Sequence, residues 1–96
     1  MRPSIALSLH RMQIREIALR HHLSGVRVFG SALNDNDRDG SDLDLLVDTL
    51  PGATLFDLGG LQDELQELLG VPVDVLTLKD LPAKCRDTVL QEARPI

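Results

Sequence analysis

Residues 5–22 place Ile5, Leu9, Met12 and Leu19 on one side of a helical wheel and Ile14, Ile17 and Ala18 on another, with no glycine or proline between them. That pattern predicts one helix, which either buries a broad face or meets a second protein. Ser24-Gly25 is expected to end it. The β-branched and aromatic run Val26-Arg27-Val28-Phe29, stopped by Gly30, predicts a strand. Residues 34–41 carry loop chemistry, and Asp42 to Val47 alternates acid with leucine as a second strand. After the Pro51-Gly52 turn, Leu55, Leu58, Leu61, Leu65, Leu68 and Leu69 share a helical face, and Thr54 with Asp57 suggests a capping box. Gly59-Gly60 costs about 1 kcal/mol per glycine relative to alanine, so a loose start to this helix is expected, and Gly70 is placed to end it. Residues 72–77 predict a third strand. Leu81, Cys85, Val89 and Ala93, each four residues apart, predict a last helix after Pro82. The order α-β-(α or loop)-β-α-β-α implies a small α/β (α+β) fold, with helices packed on a mixed three-stranded sheet.

Ninety-six residues suit a single domain spanning 1–96. No apolar run approaches the ~20 residues needed to cross a bilayer, and the stretch after Met1 is too short for a secretion signal. One cysteine excludes an internal disulfide. A cytoplasmic protein is therefore expected. The net charge of −5 is unevenly spread: residues 1–27 carry five arginines against Glu16, whereas residues 28–80 carry two bases against twelve acids. An acidic middle suits divalent cations better than a phosphate backbone. With two phenylalanines and neither Tyr nor Trp, there is also no stacking platform for single-stranded bases. Direct nucleic-acid binding is not expected.

Asp42 and Asp44 lie two residues apart in a strand, so both carboxylates share a face about 6.6 Å apart. Such a pair is either an acidic strand end or a cation site, because like charges at this spacing repel unless a cation lies between them. Gly30-Ser31 directly follows a strand. It is either a common turn or a backbone that approaches phosphate closely. Asp74 sits between Val73 and Val75 in the third strand, where an acid is either at an edge or held by a partner or metal. Residues 35–40 imitate the start of an EF-hand, but the position of its bidentate glutamate falls on Leu46. His21 and His22 are adjacent and diverge on a helix, and Cys85 reads as core.

Taken together, Phe29-Gly30-Ser31, ten residues, Asp42-Leu43-Asp44 and a third strand bearing Asp74 resemble the signature of the DNA-polymerase-β-like nucleotidyltransferases. The resemblance is to their minimal (MNT) members, including antitoxins paired with HEPN ribonuclease toxins, and it covers nearly the whole chain. It implies a nucleotidyltransferase fold in which Gly30 and Ser31 bind nucleotide phosphate. Asp42 and Asp44 would hold magnesium, and Asp74 would act as base or second metal ligand. It further implies transfer of AMP from ATP to a hydroxyl of a HEPN-type toxin encoded nearby, and it allows an oligomer. Minimal members often read Gly-Ser-Arg-Ala-Arg-Gly after the strand, whereas this chain reads Gly30-Ser31-Ala32-Leu33-Asn34-Asp35. With the arginines missing and Asp35, Asp37 and Asp39 nearby, weak ATP binding is expected, restored by arginine at 32 and 34. The alternative is a degenerate site in a protein that neutralises its partner by occlusion.

Overall fold

The computed structural model describes residues 1–34 and 36–96, with the side chain of Asn34 also outside the description. Its elements are α1 (Pro3–Leu9), α2 (Arg11–Arg20), β1 (Leu23–Phe29), β2 (Leu43–Thr49), α3 (Leu55–Leu69), β3 (Val73–Leu76), α4 (Ala83–Glu92) and β4 (Arg94–Pro95). A 3-10 turn, Gly30–Asn34, follows β1, and a second, Leu78–Asp80, follows β3. The sheet runs β3-β2-β1-β4, with β1 antiparallel to β2 and β4, and β3 parallel to β2.

The inward face of each strand supplies the core. Val28, Leu43, Leu45, Val73 and Val75 pack with Ile14, Ala18, Leu61 and Leu65 from α2 and α3. α3 is continuous from Leu55, so the expected loose start is not found. The Asp57 carboxylate accepts the N–H of Thr54 at 2.8 Å, holding the first turn. Gly60 has a packing reason, since a Cβ there would lie 2.9 Å from Cε1 of His21. The His21 Nε2 and Arg20 guanidinium in turn meet the Glu64 carboxylate at 3.0 and 2.9 Å, tying α2 to α3.

Four sequence expectations need correction. The single helix over 5–22 is two helices broken at His10, whose backbone (φ −126°, ψ 22°) leaves the helical region. No glycine or proline marks the break. α1 is held at its start by a distant carboxylate, α2 by burial of Ile14, Ile17 and Ala18, and one non-helical residue reconciles the two directions. Ser24-Gly25 does not end α2; the helix ends at Arg20, and both residues lie inside β1 at a break in register. There Gly25 (φ +58°) leaves space for the Asp48 carboxylate. The sheet has a fourth strand, because the chain turns extended at Ala93 and Arg94–Pro95 pair with Arg27 and Val28. Cys85 is half-buried and lies outside the main core.

The distant carboxylate belongs to Asp37, whose side chain is fully buried. It accepts the backbone N–H of Ser4 at 2.7 Å, and the Arg2 guanidinium lies 3.2 Å away. Burial alone would raise its pKa, but the Ser4 hydrogen bonds and the Arg2 contact outweigh that and leave it below the ordinary carboxylate value. A carboxylate with a lowered native pKa contributes stability above its unfolded pKa, and that contribution is lost as pH falls through the native one. Asp37→Asn should therefore cost about 1–3 kcal/mol at pH 7, with the difference from wild type shrinking below about pH 4. Urea unfolding across pH 3–7 measures both.

Candidate active site

Strand pairing alone brings the acids together. Asp44 of β2 lies beside Asp74 of β3 in the parallel register and beside Phe29 of β1 in the antiparallel one. Residues paired side by side point to one face, so Phe29, Asp44 and Asp74 form a row across three strands on the face away from the helical core. Asp42, two residues before Asp44, joins the row from the segment just before β2, not from within it. Gly30-Ser31 leaves β1 at the same end of the sheet and begins the 3-10 turn, with Ser31 exposed. Each sequence-proposed site residue thus stands at one sheet end.

Gly30 is required there. Its φ is +77°, and a Cβ would come 2.5 Å from Oδ2 of Asp44. Asp44 itself is half-buried. Its pKa is pushed up to about 6, first by burial, then by the charges of Asp74 and Asp42, and by a hydrogen bond shared with Asp74. Among the described residues no three acidic, histidine or cysteine side chains already stand as an ion cage. The donor chemistry nevertheless fits a divalent cation. Burial and the charges of Asp74 and Asp42 make ionisation of Asp44 costly; a proton on Asp44 relieves that cost, and a cation in the same place would relieve it too.

Two residues that sequence reasoning passed over hold β3 in place. The side-chain carbonyls of Gln62 and Gln66 on α3 accept the N–H groups of Val75 and Val73, each at 3.1 Å. These bonds satisfy the outer edge of β3 on either side of Asp74. The signal was present: two glutamines four apart, interrupting a leucine-rich helix.

The loop before Asp42 differs from expectation. Asp37 does not face a polyanion, because Ser4 and Arg2 take up its charge. Asp35 and the side chain of Asn34 lie outside the described residues. Ala32 is buried in the core cluster, so an arginine there would disrupt packing instead of restoring phosphate contacts. A cleft of about 580 Å³ lies at the far end of β2, against Val47–Thr49 and Thr77–Asp80, away from Asp42, Asp44 and Asp74. None of Asp42, Asp44 and Asp74 lines that cleft.

A family model described as nucleotidyltransferase domain matches residues 11–96, and the chain belongs to this family. Among curated relatives, a Methanocaldococcus jannaschii protein named "putative protein adenylyltransferase" is 37% identical over 86% of this chain and 89% of its own. Protein adenylyltransferase MntA of Thermococcus cleftensis is 33% identical over 90% and 84%. A solved structure described as a "putative minimal nucleotidyltransferase" superposes with a TM-score of 0.87 at 40% identity, covering 97% of this chain and 95% of that one. A toxin–antitoxin crystal structure with AMP-PNP shares the fold, with a TM-score of 0.69 at 20% identity over 86% and 69%. The fold is therefore that of a minimal nucleotidyltransferase. No helix among the described residues is long and apolar enough to cross a membrane.

A raised native pKa also sets the sign of a pH effect. In metal-free protein Asp44 favours the fold while protonated, and that contribution is lost as pH rises through about 6. Asp44→Asn removes the ionised form, so the metal-free variant should melt a few degrees above wild type at pH 7 and alike at pH 4. Thermal melts with chelator at both pH values test this; a variant melting below wild type at pH 7 contradicts it.

Proposed function

We propose that this chain is a magnesium-dependent protein adenylyltransferase and antitoxin, which moves AMP from ATP to a hydroxyl of a HEPN-type toxin and so silences it. The observation that carries the reading is the row of Asp44 and Asp74 on paired strands, with Asp42 before and Gly30-Ser31 beside them. The names of its relatives support a protein acceptor.

In this reading Asp42 and Asp44 would hold magnesium, with Asp74 as a second metal ligand or as base, and the ion when bound would neutralise charge on the phosphates. Ser31 and the backbone beside Gly30 bind and orient the triphosphate. The acceptor oxygen bonds to the α-phosphorus, the bond from that phosphorus to its bridging oxygen breaks, and pyrophosphate leaves. As base, Asp74, exposed on β3, takes the hydroxyl proton. A site open along the sheet face leaves room for the acceptor side chain of another protein.

A second reading rests on one observation. The chain has Ala32 where minimal members of the family often carry arginine, and that alanine is in the core. A protein with this loop that binds ATP too weakly to turn over would act by occluding its partner.

Incubation with α-labelled ATP, magnesium and the product of the neighbouring gene separates the two. We expect label on that partner, lost with chelator. Asp42→Asn and Asp44→Asn should each lower labelling and magnesium–ATP affinity at least about tenfold in calorimetry, since each removes a charge-assisted contact of roughly 1.5–3 kcal/mol. Toxin neutralised without label supports occlusion.

A further inference from the structure

Two shallow clefts flank β4 and meet at Pro95. One, about 250 Å³, is lined by Arg11 and Arg94; the other, about 400 Å³, by Arg15, Leu19 and Arg27. They form a furrow between the α1–α2 pair and the β1–β4 edge. Arg27 lies 3.6 Å from Asp48, whereas Arg11, Arg15 and Arg94 pair with no carboxylate among the described residues. Beside the furrow, α2 presents Met12 and Leu19, which are 73% and 58% exposed, and α1 presents Leu9. The sequence pattern offered two apolar sides on this helical segment. The structure buries Ile14, Ile17 and Ala18 in the core and leaves the other side uncovered.

We propose that the furrow and the α2 ridge dock a protein partner that presents apolar side chains flanked by carboxylates. This rests on the proposed function, in which that partner is the toxin. Charge complementarity selects the occupant. Guanidinium groups without a carboxylate partner line an apolar ridge in a chain of net charge −5, so a partner segment of the opposite sign is attracted here. A second copy of this chain joined face to face would set arginine against arginine. A nucleic acid would leave Met12 and Leu19 uncovered, and a flat lipid surface would not enter the furrow. Arg94 pairs with Val28, so it stands on the sheet face opposite Asp44. Arg27, paired with Leu46, shares the face of Asp44, so the furrow runs around the β1–β4 edge of the sheet, the edge opposite β3 and Asp74.

The test is co-purification and titration of the full chain with the protein encoded by the neighbouring gene, at two salt concentrations. The Arg11→Glu/Arg15→Glu pair and Leu19→Asp should each weaken the complex about a hundredfold or more. Both should keep the wild-type melting temperature and, alone, the wild-type magnesium–ATP affinity. Leu55→Ser/Phe56→Ser, which alters exposed apolar residues at the start of α3, should leave the complex within about twofold. Wild-type affinity should fall with added salt, and that of the charge-reversed pair should fall less. If wild type binds but the furrow variants bind equally well, this surface is overturned while the proposed function stands. If wild type does not bind the neighbour at all, the antitoxin reading fails and the docking proposal with it. Binding to RNA or anionic phosphatidylserine vesicles as tight as to the neighbour, lost in the same variants, also overturns a protein occupant.

Discussion

Like charges placed side by side are the constraint around which this molecule is organised. The parallel register of β2 and β3 sets Asp44 against Asp74, and the short spacing back to Asp42 adds a third carboxylate. In a folded chain of this size, such a cluster opposes the fold unless a proton or cation occupies it. The rest of the structure holds the cluster despite that opposition. Val73 and Val75 anchor β3 in the core, Gln62 and Gln66 close its edge, and Gly30 gives way to the Asp44 carboxylate. The cost falls mainly on Asp44, whose ionised form the fold disfavours.

The loop between Ser31 and Asp42 shows how an acidic segment can be structural instead of catalytic. Its N–H at Asn36 donates to the Ser31 carbonyl at 3.1 Å, Asp37 grips the start of α1, and the Arg38 N–H donates to the Ser41 hydroxyl at 2.9 Å. The loop is thereby fastened near its beginning, middle and end, and it delivers both Ser31 and Asp42 to one end of the sheet. The acidic character that imitates a calcium loop in the sequence serves, at Asp37, as a helix cap reached from 33 residues away.

Local patterns made most of the fold readable. Alternation placed β2, leucine spacing placed α3, and Gly70 ended it in a left-handed turn as expected. The spacing of Gly30-Ser31, Asp42-Asp44 and Asp74 groups these residues in the sequence, and strand pairing brings them to one end of the sheet. The misreadings share one cause, which is dependence on tertiary contacts. His10 breaks a helix that no residue type marks, because Asp37 and the core pull its two halves in different directions. Gly25 read as a helix stop but serves Asp48 across the β1–β2 pair, and Gly60 read as a weakness but accommodates His21. Ala32 looked like a lost arginine until its burial showed that this position belongs to the core. The fourth strand is two residues long, too short to leave a periodic trace.

In the proposed function, strand register, and not the acidic loop, creates the cation–nucleotide site. Titrating manganese into the ATP-bound protein and following amide signals by NMR tests it most directly, since the paramagnetic ion broadens only its neighbours. The account predicts early broadening of Leu43–Leu45, Val73–Val75 and Gly30–Ser31, all at one sheet end. Broadening centred on residues 36–40, with the β2 and β3 amides unaffected, would contradict it.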